Sequence, residues 1–147
     1  MRIKLSTTVN RPYLEVKAAF TEDLFMSLNP PFPPVKLLRF DGCTTNDVVS
    51  LELNFIFFKQ QWVSLITEDL TDGQQFMFVD EGTKLPFFLR QWRHRHQIVK
   101  AGNQCVIVDD IQYKAPNWLL GALLYPALFL QFLYRKPIYK RLLGKKH

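Results

Sequence analysis

Two histidines one residue apart, bracketed by a tryptophan and an isoleucine in Gln91–Val99 (QWRHRHQIV), are the side chains best suited to chemistry in this chain of 147 residues. On a strand, Trp92, His94, His96 and Ile98 share one face, while Arg93, Arg95 and Gln97 point the other way. Gly102-Asn103 is a two-residue hairpin signal of the type I′ kind. A turn there pairs Ala101 with Gln104, and the register then sets Ile98 opposite Ile107, His96 opposite Asp109, His94 opposite Ile111 and Trp92 opposite Tyr113. A carboxylate across from an imidazole on an otherwise apolar face holds His96 in one tautomer and favours its charged form.

Three chemistries compete for this cluster. A few polar groups in an apolar hollow orient a greasy small molecule; a buried His-Asp pair can also be purely structural, because buried polar groups satisfy one another. A metal site would need His94, His96 and Asp109 to converge, and an i, i+2 histidine pair is a weak signal for it; the expectation is no metal and no cofactor. Arg90, Arg93 and Arg95 lack interleaved aromatic residues on their own face, which favours a solvated sheet surface over a nucleic-acid interface. The chain carries no phosphate-binding glycine loop, no nucleophile elbow and no zinc-finger spacing.

The elements that must position the cluster are read from periodicity. Ile3, Leu5, Thr7 and Val9 alternate as a half-buried strand does. Asn10 is a candidate cap for a helix with Pro12 in its first turn, and Tyr13, Val16, Phe20, Leu24 and Leu28 recur at helical spacing. Four prolines in Asn29–Pro34 (NPPFPP) end it and make a rigid connector. Six strands follow, over Val35–Phe40, Val48–Phe58, Gln61–Leu70, Gln74–Glu81, Gln91–Lys100 and Cys105–Lys114, with Asp72-Gly73 as a second type I′ turn. Short connections make this an antiparallel meander of about seven strands, an α+β arrangement closed by a long final helix, in one domain spanning residues 1–147.

That helix is expected from Trp118, capped by Asn117, to about Arg135, with Pro126 imposing a bend. Its apolar run Trp118–Tyr134 is about 25 Å long at 1.5 Å per residue, short of a hydrocarbon core of about 30 Å. A sheet-covering helix is therefore favoured over a membrane-surface helix or a span, although Trp118, Tyr134 and the basic residues beyond imitate a membrane segment's flanks. Through Tyr134 the chain has 13 basic and 13 acidic residues; the last 13 residues have six basic and none acidic, so the whole net charge of +6 is C-terminal. A solvated tail or a dock for anionic lipid both fit such a field. Cys43 and Cys105 make no disulfide framework, and the N-terminus lacks an apolar signal core, so a cytoplasmic protein, peripheral to the membrane at most, is expected.

This order of elements resembles the START-like superfamily, also called SRPBCC, with its helix-grip fold. The local match is to a bacterial ligand-binding or polyketide cyclase/dehydrase-like branch, in which Phe-x-Asp is followed by Pro-Phe, Trp-x-His-x-His, an acidic pair and Tyr-x-x-Pro. Here those positions are Phe78, Asp80, Pro86, Phe87, Trp92, His94, His96, Asp109, Asp110, Tyr113 and Pro116. Leu85 stands where the branch usually has glycine, and FLYRKPIYKRL resembles the branch's C-terminal helix. The resemblance implies a curved antiparallel sheet wrapped around the last helix, with a deep hydrophobic cavity between them. On that basis the expected function is non-enzymatic binding of a hydrophobic or amphipathic small molecule or lipid by Trp92, His94, His96, Asp109 and Tyr113, faced by Leu120, Leu124 and Leu128. Two alternatives stand beside it: a cyclase/dehydrase-like enzyme with His96 as general acid/base and Asp109 orienting it, and a membrane-surface lipid-binding module docked through the basic C-terminus.

Overall fold

A computed structural model describes residues 1–144. Its elements are β1 (Arg2–Val9), α1 (Tyr13–Ala18), α2 (Glu22–Ser27), β2 (Val35–Phe40), β3 (Val48–Asn54), β4 (Lys59–Thr71), β5 (Gln75–Lys84), β6 (Gln91–Ala101), β7 (Gln104–Lys114) and α3 (Trp118–Leu143). The seven strands form one sheet in the order β1-β7-β6-β5-β4-β3-β2. Every pairing is antiparallel. The sheet is thus a meander whose first strand adds beside the last, and its residues alternate inward and outward as a half-covered antiparallel sheet requires. This is the helix-grip arrangement.

Several local expectations are corrected. The helical stretch after β1 divides in two, and its cap is Pro12, with φ −59° and ψ 145°, rather than Asn10. The amides of Ala19 and Phe20 close α1 by donating hydrogen bonds to the Glu15, Val16 and Lys17 carbonyls, and α2 restarts after Thr21. The β4–β5 loop falls one residue later than Asp72-Gly73: Thr71 pairs with Phe76, and the Asp72 amide donates to the Gln75 carbonyl. The Asp72 carboxylate accepts from the amides of Gln74 and Gln75 at 2.8 and 3.0 Å, so a side chain does what a positive-φ glycine would otherwise do. At Gly102 the register is as expected, but only Gly102 has a positive φ (63°), which matches a type II′ turn rather than type I′.

The longest correction concerns α3. It runs through Pro126 and Pro137 to Leu143, eight residues beyond Arg135. Ile138, Tyr139 and Leu143 are buried in one core cluster with Val9, Val16, Ile66 and Ile107. The basic end is therefore not a free tail from Arg135 onward, because burying these apolar side chains anchors it. Lys145 and Lys146 lie outside the described residues. Asn117 does cap the helix, its carboxamide oxygen accepting from the Leu120 amide at 2.9 Å. By length and composition α3 is apolar enough to cross a membrane, yet its inner side packs on β1 and on the second core cluster, with Leu128 and Phe132 against Trp92 and Ile111. Leu85 fits because Gly82 leaves it room: a Cβ at Gly82 would collide with the Leu85 side chain. Cys43 and Cys105 are both free thiols, and burial pushes them up to about 12 and about 11, which keeps them protonated and unreactive.

Candidate functional site

β5, β6 and β7 place four side chains in a two-by-two block. Direct cross-strand pairing sets Asp80 opposite His94 and Asp109 opposite His96. Both pairs lie on the inner face, and the two imidazoles sit side by side with centroids 3.5 Å apart. Each carboxylate reaches both rings. Asp109 Oδ1 is 2.9 Å from His94 Nε2 and 3.3 Å from His96 Nδ1; Asp80 Oδ2 is 3.6 Å from His94 Nδ1 and 3.4 Å from His96 Nε2. The hydrogen bond of good geometry is the diagonal one, His94 to Asp109. Asp109 therefore fixes the tautomer of His94, not that of His96 as the register alone suggested. His96 Nδ1 makes no hydrogen bond among the described residues.

The electrostatics divide the two rings. Burial, reinforced by the charge on His96, pushes His94 down to about 4, so it is neutral and donates through Nε2. Burial opposes the charge on His96 as well, but the close carboxylates of Asp109 and Asp80 outweigh it and raise His96 above its ordinary value. Burial alone would raise both carboxyls; the histidines overcome it and hold Asp80 low and Asp109 well below the usual carboxylate range. Two further groups complete the cluster from α3. The Tyr139 hydroxyl donates to Asp109 at 3.2 Å. Arg135 lies over the Phe132 ring at 4.5 Å with Nη1 3.7 Å from Asp109. That nitrogen is buried and has no hydrogen-bond partner among the described residues. With His96 protonated, two cations face two carboxylates and the block is neutral as a whole.

A cavity of about 520 Å³ opens over this block, between the sheet, α2, the proline connector and α3. His94, His96, Asp80, Trp92 and Arg135 line its polar corner; Phe78, Leu53, Ile66, Leu124 and Leu128 belong to its apolar wall. Phe78 stacks on His96 at 4.4 Å, and the Trp92 indole donates to Asp80 Oδ1 at 3.1 Å. Of the residues expected at the site, Trp92, His94, His96, Leu124 and Leu128 line the cavity. Asp109 sits behind the imidazoles, out of reach of a ligand. Tyr113 and Leu120 lie off the lining: the Tyr113 hydroxyl donates to the Gly121 carbonyl at 2.8 Å and fastens α3 to β7.

The residues missed carried legible signals. Asp80 shares a strand face with Phe76 and Phe78, and Arg135 and Tyr139 are four apart on one helix face; ending the helix at Arg135 hid the second pair. A metal reading moves from Asp109 to Asp80, since Asp80, His94 and His96 offer donor atoms within 4.8 Å of one another. Those atoms already face one another as acid and base, and the Arg135 guanidinium nearby opposes a cation, so the block fits an ion-pair network better. On the outer face, Arg93 pairs with Glu68 and Glu81 at 3.6 and 3.9 Å.

Comparison with known proteins places the fold. No protein-family model and no curated protein matches the chain. Among solved structures it is similar to protein CV1439 from Chromobacterium violaceum, at 14% identity and a TM-score of 0.71, with 99% of each chain covered. It is also similar to the Zhui aromatase/cyclase from a Streptomyces species, at 13% identity and a TM-score of 0.64, covering 93% of this chain and 89% of that one. Norcoclaurine synthase from Thalictrum flavum, solved in complex with dopamine and hydroxybenzaldehyde, matches at 12% identity and a TM-score of 0.60, covering 100% and 89%. At these identities the likeness establishes the helix-grip fold and nothing finer.

Proposed function

We propose that the protein binds a neutral, mostly apolar small molecule carrying a hydrogen-bond-accepting oxygen, such as a carbonyl or phenol. The observation that carries this reading is Arg135, a cation lining the polar corner of an apolar cavity of about 520 Å³, whose contact with Asp109, 3.7 Å from Nη1, is too long for a hydrogen bond. A guanidinium with donors to spare at such a corner favours a ligand that brings an acceptor. Because the charges of Asp80, Asp109, His96 and Arg135 already balance, a ligand with net charge would leave an uncompensated charge in low dielectric. A neighbour of the same fold, norcoclaurine synthase solved with dopamine and hydroxybenzaldehyde, supports a small aromatic ligand, though dopamine is not neutral.

Titrating the protein with 2-naphthol and with naphthalene tests this. Naphthol is expected to bind about tenfold more tightly, the worth of one hydrogen bond to a charged group. Arg135→Met should erase that preference, and Ala127→Trp, which narrows the cavity, should weaken both ligands. Equal affinity of the wild type for the two ligands would refute the assigned head group, and indifference to Ala127→Trp would refute the cavity. His96, as an imidazolium on the cavity wall, is also placed to protonate a bound oxygen, which favours a cyclase/dehydrase-like enzyme as the second reading. A passenger recovered chemically unchanged after prolonged incubation supports binding; one altered by the wild type but not by His96→Gln supports catalysis.

A further inference from the structure

One end of the sheet gathers exposed aromatic side chains, as the outer face of α3 exposes Leu119, Leu123 and Leu130. Antiparallel order brings the β3–β4 loop, the β5–β6 loop, the proline connector before β2 and the start of α3 to the same end. Their tips are aromatic and bare: Phe57 is 93% exposed, Trp118 80%, Ile56 75% and Phe87 64%. Side chains that could cover one another do so only in a chain of ring contacts, Phe32 to Phe55 at 6.3 Å, Phe55 to Phe88 at 5.8 Å and Phe58 to Phe87 at 5.8 Å. The tip of the β3–β4 loop is a tight three-residue turn. Ile56 takes φ 75°, and the Phe57 amide donates to the Phe55 carbonyl at 2.9 Å. A β-branched residue in that conformation is strained, and the strained turn carries the most exposed phenylalanine of the protein's tip outward rather than inward.

The loops at this end carry basic residues and no acidic ones. Phe55–Phe58, Leu85–Arg90 and Ala115–Asn117 contain no acidic residue, and Lys59, Lys84, Arg90 and Lys114 flank them. Glu52 on β3 pairs with Lys59 at 3.6 Å and offsets that one charge. Phe32, Phe55 and Phe88 belong both to this patch and to the cavity lining, so the patch is continuous with the site.

We infer that this aromatic end docks on an anionic phospholipid bilayer, with Phe57, Phe87 and Trp118 entering the interface and Lys59, Lys84 and Arg90 facing the head groups. Aromatic side chains partition to the membrane–water boundary, and basic residues just behind them are drawn to anionic lipid. A large bare apolar patch is otherwise a liability on a soluble surface. The inferred docking surface is the loop end, and it stands whether or not the cavity holds a ligand. A cavity wall shared with the docking surface would let an apolar molecule pass between bilayer and cavity without crossing water.

Flotation of the full chain with phosphatidylcholine vesicles, and with the same vesicles containing phosphatidylglycerol, tests the inference. The wild type is expected to float with the anionic vesicles, less so at high salt. The double variant F57S/F87S should lose at least tenfold in partitioning, while Asp41→Asn at the opposite end changes nothing. Thermal melts of both variants establish that they remain folded; if F57S/F87S does not, Phe57→Ser alone replaces it, since that side chain makes almost no contact with the rest of the chain. Failure of the wild type to float with either vesicle, or flotation of the folded variant equal to wild type, overturns the inference. A dimer in sedimentation velocity that dissociates in the same variant also overturns it and assigns the patch to a second copy.

Discussion

The two ends of the sheet solve the same problem, connecting antiparallel strands, with opposite chemistry. At the end holding the β2–β3 and β4–β5 loops, carboxylates do the work: Asp41 accepts the Val48 amide at 3.0 Å, Asp47 accepts the Thr44 amide at 2.9 Å, and Asp72 accepts two amides of its own turn. Tyr13 ties α1 to the same turn through the Asp72 carbonyl at 2.9 Å. At the other end neutral carboxamides take that role, Asn54 accepting the Ile56 amide at 2.9 Å and Gln60 the Phe87 amide at 3.1 Å, and the loop tips Ile56, Phe57 and Phe87 are exposed. The amides are satisfied at both ends; what differs is that one end has charged polar tips and the other bare apolar ones.

Substitutions sharpen that contrast, and the cluster between the ends gives the largest effects. Removing Phe78, which is buried against Phe20, Phe76 and His96, is expected to cost about 3 kcal/mol as Phe78→Ala, measured by urea unfolding, because it deletes core packing and unroofs the imidazole.

The histidine block should give a pH signature of nearly that size. His94 is held down to about 4 in the fold against about 6.5 unfolded. As pH falls from about 6.5 to 4 the unfolded chain gains a proton that folded His94 does not take, so stability drops by on the order of 3 kcal/mol over that window. His96 has the opposite sign: its folded value is raised, so its contribution is full below about pH 6.5 and fades as pH rises through the folded value. His94→Asn should therefore flatten the acid side of the stability profile, and His96→Asn the neutral side. Parallel profiles in the two variants would show that the rings do not divide the charge in this way.

Smaller effects separate the ends. Asp72→Ala should destabilise by about 1 kcal/mol through two lost amide partners. Ile56→Gly should stabilise by about 1 kcal/mol by relieving the positive φ. Equal and opposite shifts in melting temperature would mark one end as optimised for folding and the other as strained.

Sequence alone determined the sheet and the His96–Asp109 register, because strand alternation and a glycine turn are local and the pairing sum follows from one hairpin. It also set the proline joint and the Asn117 cap, which act within a few residues of themselves. It did not fix the end of α3, since whether a basic, apolar segment such as Arg135–Leu143 continues as helix depends on a core it meets only in the fold. Nor could it choose Asp109's partner. Cross-strand register sets Cβ neighbours, but the hydrogen bond to His94 is diagonal and is decided by rotamers that Tyr139 and Arg135, brought in from α3, leave available. The aromatic end is tertiary in the same sense: Phe32, Phe57, Phe87 and Trp118 are far apart along the chain, and only the antiparallel order of β2 to β7 gathers them on one surface.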